Sequence, residues 1–157
     1  MSISNILTPN DLSLYCGDIT VKNSDANLTG IYDIDFLNNP LQQFFNVDTI
    51  DPTVLVFKSG DFVIVNGAVD ITMNQDSKFI NAIIVLPIIP GYNLYENLAI
   101  ISGDAKGAIR QVGTMTQAIA DTASEISVAW QENDGTGFEN NEGYIISFTI
   151  RYRLTNL

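Results

Sequence analysis

The chain has 157 residues, of which 46% are hydrophobic, and this suits one domain with its own core rather than a disordered or fibrous protein. Eighteen acidic residues against seven basic ones give a formal net charge of −11, which disfavours binding to nucleic acid and to anionic membrane surfaces. Membrane insertion is not expected either, because the longest apolar run, residues 83–89, is far shorter than the ~20 residues of a membrane helix.

The chemistry open to this chain is narrow, because it contains no His and a single Cys. The lack of His excludes Ser-His-Asp and Cys-His catalysis as well as imidazole metal sites. Cys16 lies in an alternating apolar run without a basic neighbour, so it is predicted to be a buried structural thiol. A carboxylate pair such as Asp33 and Asp35 would be enough for glycoside hydrolysis, but the sequence places no pair of acids across a cleft. We therefore expect a protein that is not an enzyme.

Residues 1–52 differ from the rest of the chain and are predicted to form an N-terminal arm that packs on the core or on a partner. The arm contains a broken strand at residues 12–21 and an alternating segment at residues 30–36. In the second segment Tyr32, Ile34 and Phe36 share one side. A turn or a single helical turn is predicted next, at residues 38–40, which read Asn-Asn-Pro.

Residues 53–157 are predicted to form the main unit, which begins with a β-hairpin at residues 54–73. Two β-branched and aromatic runs flank the polar turn Lys-Ser-Gly-Asp at residues 58–61. Gly67 in the second arm predicts either a bulge or a close backbone approach. Beyond it, Val69, Ile71 and Met73 alternate with polar residues, which indicates one buried face.

Further strands follow at regular intervals. Residues 79–86 are almost wholly apolar and are predicted to be a strand covered on both faces. Residues 98–102 and 108–117 read as strands joined by a hairpin turn at residues 103–107. Residues 125–131 read as another strand, with its apolar side chains on one face. The last and most regular strand alternates strictly, with these residues facing one way: Tyr144, Ile146, Phe148, Ile150, Tyr152 and Leu154.

Together these segments predict an all-β fold, an antiparallel, jelly-roll-like β-sandwich in which residues 144–154 form a central strand. A chain with such apolar strands carries more apolar surface than one small sandwich covers. Association with further copies of the chain would bury the remainder.

The polar loop at residues 133–143 is the best candidate for a metal site. Asp134, Glu139 and Glu142 supply the carboxylates that calcium prefers, although the loop does not match the EF-hand pattern. A solvated loop without an ion is the alternative interpretation. Several aromatic residues are candidates for a sugar-binding platform or, alternatively, for core and subunit-interface positions. They are Tyr92, Tyr95, Trp130, Phe138 and Tyr144.

The order of motifs in residues 54–154 resembles the C-terminal knob modules of viral and phage fibre or spike proteins. These motifs are the Gly-Asp hairpin at residues 60–67, the apolar strand ending in Leu86-Pro87, the Gly-rich middle and the aromatic strand at residues 143–152. Such knobs are jelly rolls of the kind also seen in complement-C1q and tumour-necrosis-factor-like trimers. The opening residues 5–10 and 14–16 are similar to leader segments of virion proteins from large DNA viruses and phages.

This resemblance implies a non-enzymatic virion structural protein: a capsid, cement, spike or fibre-knob component. It implies a homotrimer that contacts other virion proteins and, at an exposed position, a host glycan or receptor. No functional residue carries over, because such knobs share no binding signature, and this chain lacks a coiled-coil or collagen-like stalk. The alternative is a carbohydrate- or calcium-dependent recognition module on a virion or cell surface, with residues 133–143 as its site.

Overall fold

A computed structural model describes residues 29–87, 94, 98–122 and 124–153. The predicted strand at residues 12–21, Cys16, Tyr92, Tyr95 and Leu154 lie outside the described residues. The named elements are ten β-strands: β1 (Gly30–Asp33), β2 (Asp35–Asn38), β3 (Phe45–Val47), β4 (Thr53–Ser59), β5 (Phe62–Met73), β6 (Phe79–Val85), β7 (Leu98–Lys106), β8 (Gln111–Ala120), β9 (Glu125–Glu132) and β10 (Gly143–Arg153).

All neighbouring strands pair antiparallel, in the order β1-β4-β5-β10-β7-β8-β9-β6-β2, and β3 pairs with the far end of β5. Strands β6 to β9 form a Greek key, since β6 lies beside β9 rather than beside β7. This arrangement confirms the predicted fold class, an all-β antiparallel sandwich with jelly-roll-type connectivity.

The sheet is nearly closed by one chain segment, residues 30–38, which belongs to the predicted N-terminal arm. Strands β1 and β2 are separated only by Ile34, yet β1 pairs with β4 and β2 pairs with β6, at opposite ends of the strand order. Tyr32, Ile34 and Phe36 are buried, as their alternation predicts. Because one segment joins both ends, neither end of the sheet is left as a long open edge.

Strand β10 lies between β5 and β7 and supplies the central row of the core. Its residues Tyr144, Ile146, Phe148, Ile150 and Tyr152 are buried, so the predicted central core strand is confirmed. The Phe148 ring stacks on the ring of Phe36 from β2, with 6.3 Å between their centroids and 9° between their planes. Aromatic side chains from opposite parts of the sheet therefore meet in the middle of the sandwich.

The predicted hairpin of β4 and β5 is confirmed, with Gly60 and Asp61 as its two-residue loop. Gly60 has a φ of 60°, which favours glycine at the first loop position of a type II′ turn. The register continues through Gly67 without a bulge. Gly67 therefore marks a close approach rather than a bulge, and the group that approaches its backbone is the ring of Phe148.

Three details differ from the sequence prediction. Strand β7 continues through the predicted turn at residues 103–107, and the chain reverses later, where the Gly107 N–H donates to the Arg110 carbonyl at 2.9 Å. Gly103 serves close packing instead, because a Cβ there would lie 2.1 Å from the Ser147 carbonyl oxygen. Strand β8 extends to Ala120, with a register shift after Met115. Strand β6 is buried on one face only, since the outer residues Ile83 and Val85 are half-buried.

Candidate functional site

The loop between β9 and β10 is held at its start by two ion pairs, one to Asp134 in the loop and one to Glu132, the last residue of β9. Asp134 pairs with Arg110, and its Oδ1 accepts hydrogen bonds from the Thr136 hydroxyl at 2.7 Å and the Thr136 N–H at 3.1 Å. These hydrogen bonds, together with the Arg110 charge, lower the pKa of Asp134 to about 2. Lys78 pairs with Glu132 at 3.4 Å and donates to the Gly135 carbonyl at 2.8 Å. The loop is thus fastened to the β6 side of the sandwich.

The three predicted calcium ligands are not gathered into one site. Glu139 and Glu142 lie in a tight turn, where the Glu142 N–H donates to the Glu139 carbonyl at 3.1 Å and Asn141 has a φ of 67°. Across the described ranges of the chain, no group of three His, Cys, Asp or Glu side chains is placed to hold a metal ion. Calcium binding at Asp134, Glu139 and Glu142 therefore stays a prediction, without an assembled set of ligands behind it.

The interpretation of the aromatic residues as a sugar-binding platform is wrong for the three of them that the structure describes. Trp130 and Phe138 are fully buried, and Tyr144 is 6% exposed, so none of them presents a ring face to a sugar. Tyr144 instead meets Phe138 edge-on, with 5.2 Å between ring centroids and 86° between ring planes. Its hydroxyl accepts a hydrogen bond from the Glu139 N–H at 2.9 Å. Core packing, the other interpretation of these residues, is correct.

The acidic pair suggested by the sequence lies at the junction of β1 and β2. Asp33 and Asp35 flank Ile34 beside a hollow of about 90 Å³, well below the ~300 Å³ at which ligand pockets begin. The pKa of Asp33 is raised, first by burial and then by the negative charges of Asp51 and Asp35. This geometry gives no room for a sugar ring between two carboxylates.

The outer face of β2, β6, β9 and β8 carries a feature of a different kind, a row of uncharged side chains. Strand pairing aligns Leu37, Ile83, Ser127 and Ile119 directly across the four strands. Leu37 and Ile119 are each 50% exposed, and Ile83 is half-buried. We call this row, with the adjacent groove, the uncharged strip.

The groove next to the row has a volume of about 310 Å³. It is lined by Asn39, Leu41, Gln42, Asn81, Gln117, Ile119, Ser127, Val128 and Ala129. No member of this lining is charged, and Leu41 at its rim is 92% exposed. In a chain with a net charge of −11, this uncharged lining is unusual, and it is bordered by acid, because the Ser127 hydroxyl donates to the Asp121 carboxylate.

Sequence reasoning missed the uncharged strip, because β2, β6 and the β8–β9 pair that carry its row are far apart in the sequence. The available signal was an apolar residue on the face opposite to the core, as at Leu37 between Phe36 and Asn38. Such residues become a surface only once the pairing of β2 with β6, and of β9 with β8, is known.

Comparison of the chain with protein-family models, with curated proteins and with solved structures found no match. None of the described residues belongs to a helix with the length and apolarity needed to cross a bilayer.

Proposed function

We propose that this protein is a non-enzymatic structural component of a virion, which self-associates through the outer face of its β-sandwich. The uncharged strip is the observation that carries the proposal. The centres of protein–protein interfaces are depleted of charged residues, and the strip has this composition over four neighbouring strands. The motif order in residues 54–154 supplies the virion context and the expected homotrimer.

The energetics of the strip suit a contact between subunits. Complete burial of an exposed Leu or Ile side chain stabilises by about 1.5–3 kcal/mol, so covering the half-exposed Leu37 and Ile119 contributes roughly 1 kcal/mol each. Leu41 is almost fully exposed and contributes more when a second surface covers it. The acidic residues elsewhere on the molecule keep it soluble.

The first experiment measures the molar mass of the protein by size-exclusion chromatography with light scattering, over a wide concentration range. We expect a homotrimer, and we expect Ile119→Asn to shift it towards the monomer while the far-ultraviolet circular dichroism stays unchanged. Ile109→Asn is the matched control, because Ile109 is 91% exposed in the β7–β8 turn and lies outside the strip. A strict monomer at every concentration, or equal effects of the two substitutions, would contradict the proposal.

The second candidate function is a carbohydrate- or calcium-dependent recognition module, with residues 133–143 as its binding site. A groove of about 370 Å³ lies beside this loop and is bordered by Lys78, Thr136 and Glu139. Asp134 of the loop already pairs with Arg110, however, and Lys78 beside the groove already pairs with Glu132 at the end of β9. Assembly is therefore the better-supported function.

A further inference from the structure

Two arginines on the outer face of β10 are stacked around a single aromatic ring. Arg151 and Arg153 lie opposite Ile64 and Phe62 of β5 in the strand register. The guanidinium carbon of Arg151 is 3.8 Å from the centroid of the Phe62 ring, and that of Arg153 is 5.5 Å from it. Stacking of this kind fixes the guanidinium planes and leaves their N–H groups at the edge free to donate.

Neither arginine is neutralised within the described part of the chain. The ion pairs found there are Lys78–Glu132 and Arg110–Asp134, although the protein has eighteen acidic residues. The Nε atom of Arg151 is also buried, and none of the residues that the structure describes accepts a hydrogen bond from it. A buried guanidinium N–H without an acceptor is costly, so a group that accepts from it stabilises the protein.

The surroundings of the pair favour a protein carboxylate over a free small anion. The site lies on an outer sheet face, where Phe57 and Ile64 sit side by side in the register and are half-buried. Arginine next to aromatic and apolar side chains is the composition of binding hot spots in protein interfaces. A partner surface that covers these apolar groups also removes water from the guanidinium groups, which strengthens their attraction for a carboxylate.

We propose that Arg151 and Arg153 bind carboxylate side chains on a second copy of this chain. Charge complementarity selects this partner, because each copy offers an excess of acidic residues and this stacked pair is a local concentration of positive charge. The inference rests on the proposed self-association and adds a second contact to it. The pair is on β10 and the uncharged strip is on β2, β6, β8 and β9, so one subunit can hold two neighbours at once.

The test uses sedimentation velocity on the full chain, in the wild type and in Ile119→Asn, at low salt and at roughly 0.5 M NaCl, where screening is strong. We expect the double variant Arg151→Gln/Arg153→Gln to weaken association at least about tenfold. In the Ile119→Asn background, a residual association is expected that disappears with salt and with the same double variant. Lys106→Gln is the control, because it removes a positive charge at a position distant from Phe62. We expect it to change neither the association of the wild type nor the residual association of Ile119→Asn.

The double variant Arg151→Lys/Arg153→Lys keeps the charge but loses the forked donors, so it is expected to weaken association as well. It replaces the Arg151→Gln/Arg153→Gln variant in the test if that variant unfolds. If the wild type self-associates and neither double variant weakens it, this contact is wrong and the proposed function stands. A salt-insensitive or absent residual association in Ile119→Asn would also overturn the contact. A wild type that never associates overturns both proposals.

Discussion

The ring of Phe148 lies against the bare backbone of Gly67, its register partner on β5. A Cβ atom at Gly67 would be 2.4 Å from Cζ of Phe148 and 2.8 Å from Cγ1 of Val54. The aromatic ring at the centre of the sandwich therefore occupies the space of a missing side chain.

Replacing Gly67 with Ala is expected to destabilise the protein by about 1–3 kcal/mol, because a methyl group there displaces Phe148 from the core. Urea unfolding measures the change. Gly143→Ala is the control, since a Cβ at Gly143 would meet only the Ile71 carbonyl oxygen, at an ordinary 3.7 Å. Equal unfolding midpoints for the two variants would show that the ring has room to move.

Stability is expected to fall in acid through Asp134. Its pKa is lowered from 3.8 to about 2 in the folded protein, so its contribution is present above pH 3.8 and is lost as the pH falls towards 2. Asp134→Asn should therefore lower the melting temperature at pH 6 and flatten its decline between pH 4 and pH 2. Asp61→Asn in the β4–β5 turn is the control, and a matching flattening there would rule out a specific role for the Asp134 contacts.

Asp33 is expected to have the opposite effect. Burial and the charges of Asp51 and Asp35 raise its pKa, so the ionised form costs stability above the unfolded value of 3.8, and this cost is relieved as the pH falls through the raised pKa. Asp33→Asn should raise the melting temperature at neutral pH. Asp35→Asn, at an exposed position, tests whether removing a nearby charge alone is enough. A lower melting temperature for Asp33→Asn would mean that its carboxylate is stabilising.

Calcium is expected to leave the protein unchanged, because Asp134 is held by Arg110 and Thr136 and the described residues contain no group of three carboxylates placed to hold an ion. Isothermal titration with CaCl₂, and thermal unfolding with and without it, measure this directly. Saturable heat that disappears in a variant with Asn or Gln at Asp134, Glu139 and Glu142 would restore the predicted site.

Much of the fold was predictable because strand alternation is a local signal. The hairpin of β4 and β5, the buried face of β9 and the whole described length of β10 follow from neighbouring residues in the sequence. Glycine was harder to interpret, since Gly60 makes a turn whereas Gly103 admits the backbone of β10. A sequence does not show which of these contacts a missing side chain serves.

The two surfaces proposed for self-association depend on pairing between distant strands, and this is why the sequence did not reveal them. The uncharged strip needs Ile83 beside both Leu37 and Ser127. The stacked arginines need Phe62 opposite Arg153. The candidate loop was identified from its composition alone, which does not show that Asp134 pairs with Arg110.

The segment at residues 30–38 has a consequence for how the molecule forms. Its two strands, β1 and β2, pair with β4 and β6, which lie about 20 and 50 positions further along the chain. These pairings are long-range contacts, which form slowly during folding. Until β1 and β2 have paired, β4 and β6 each present a row of unpaired backbone groups with which another unfolded chain can pair. The chain thus has its greatest exposure to misassembly just before this step, and lower temperature or dilution during refolding should improve the yield of native protein.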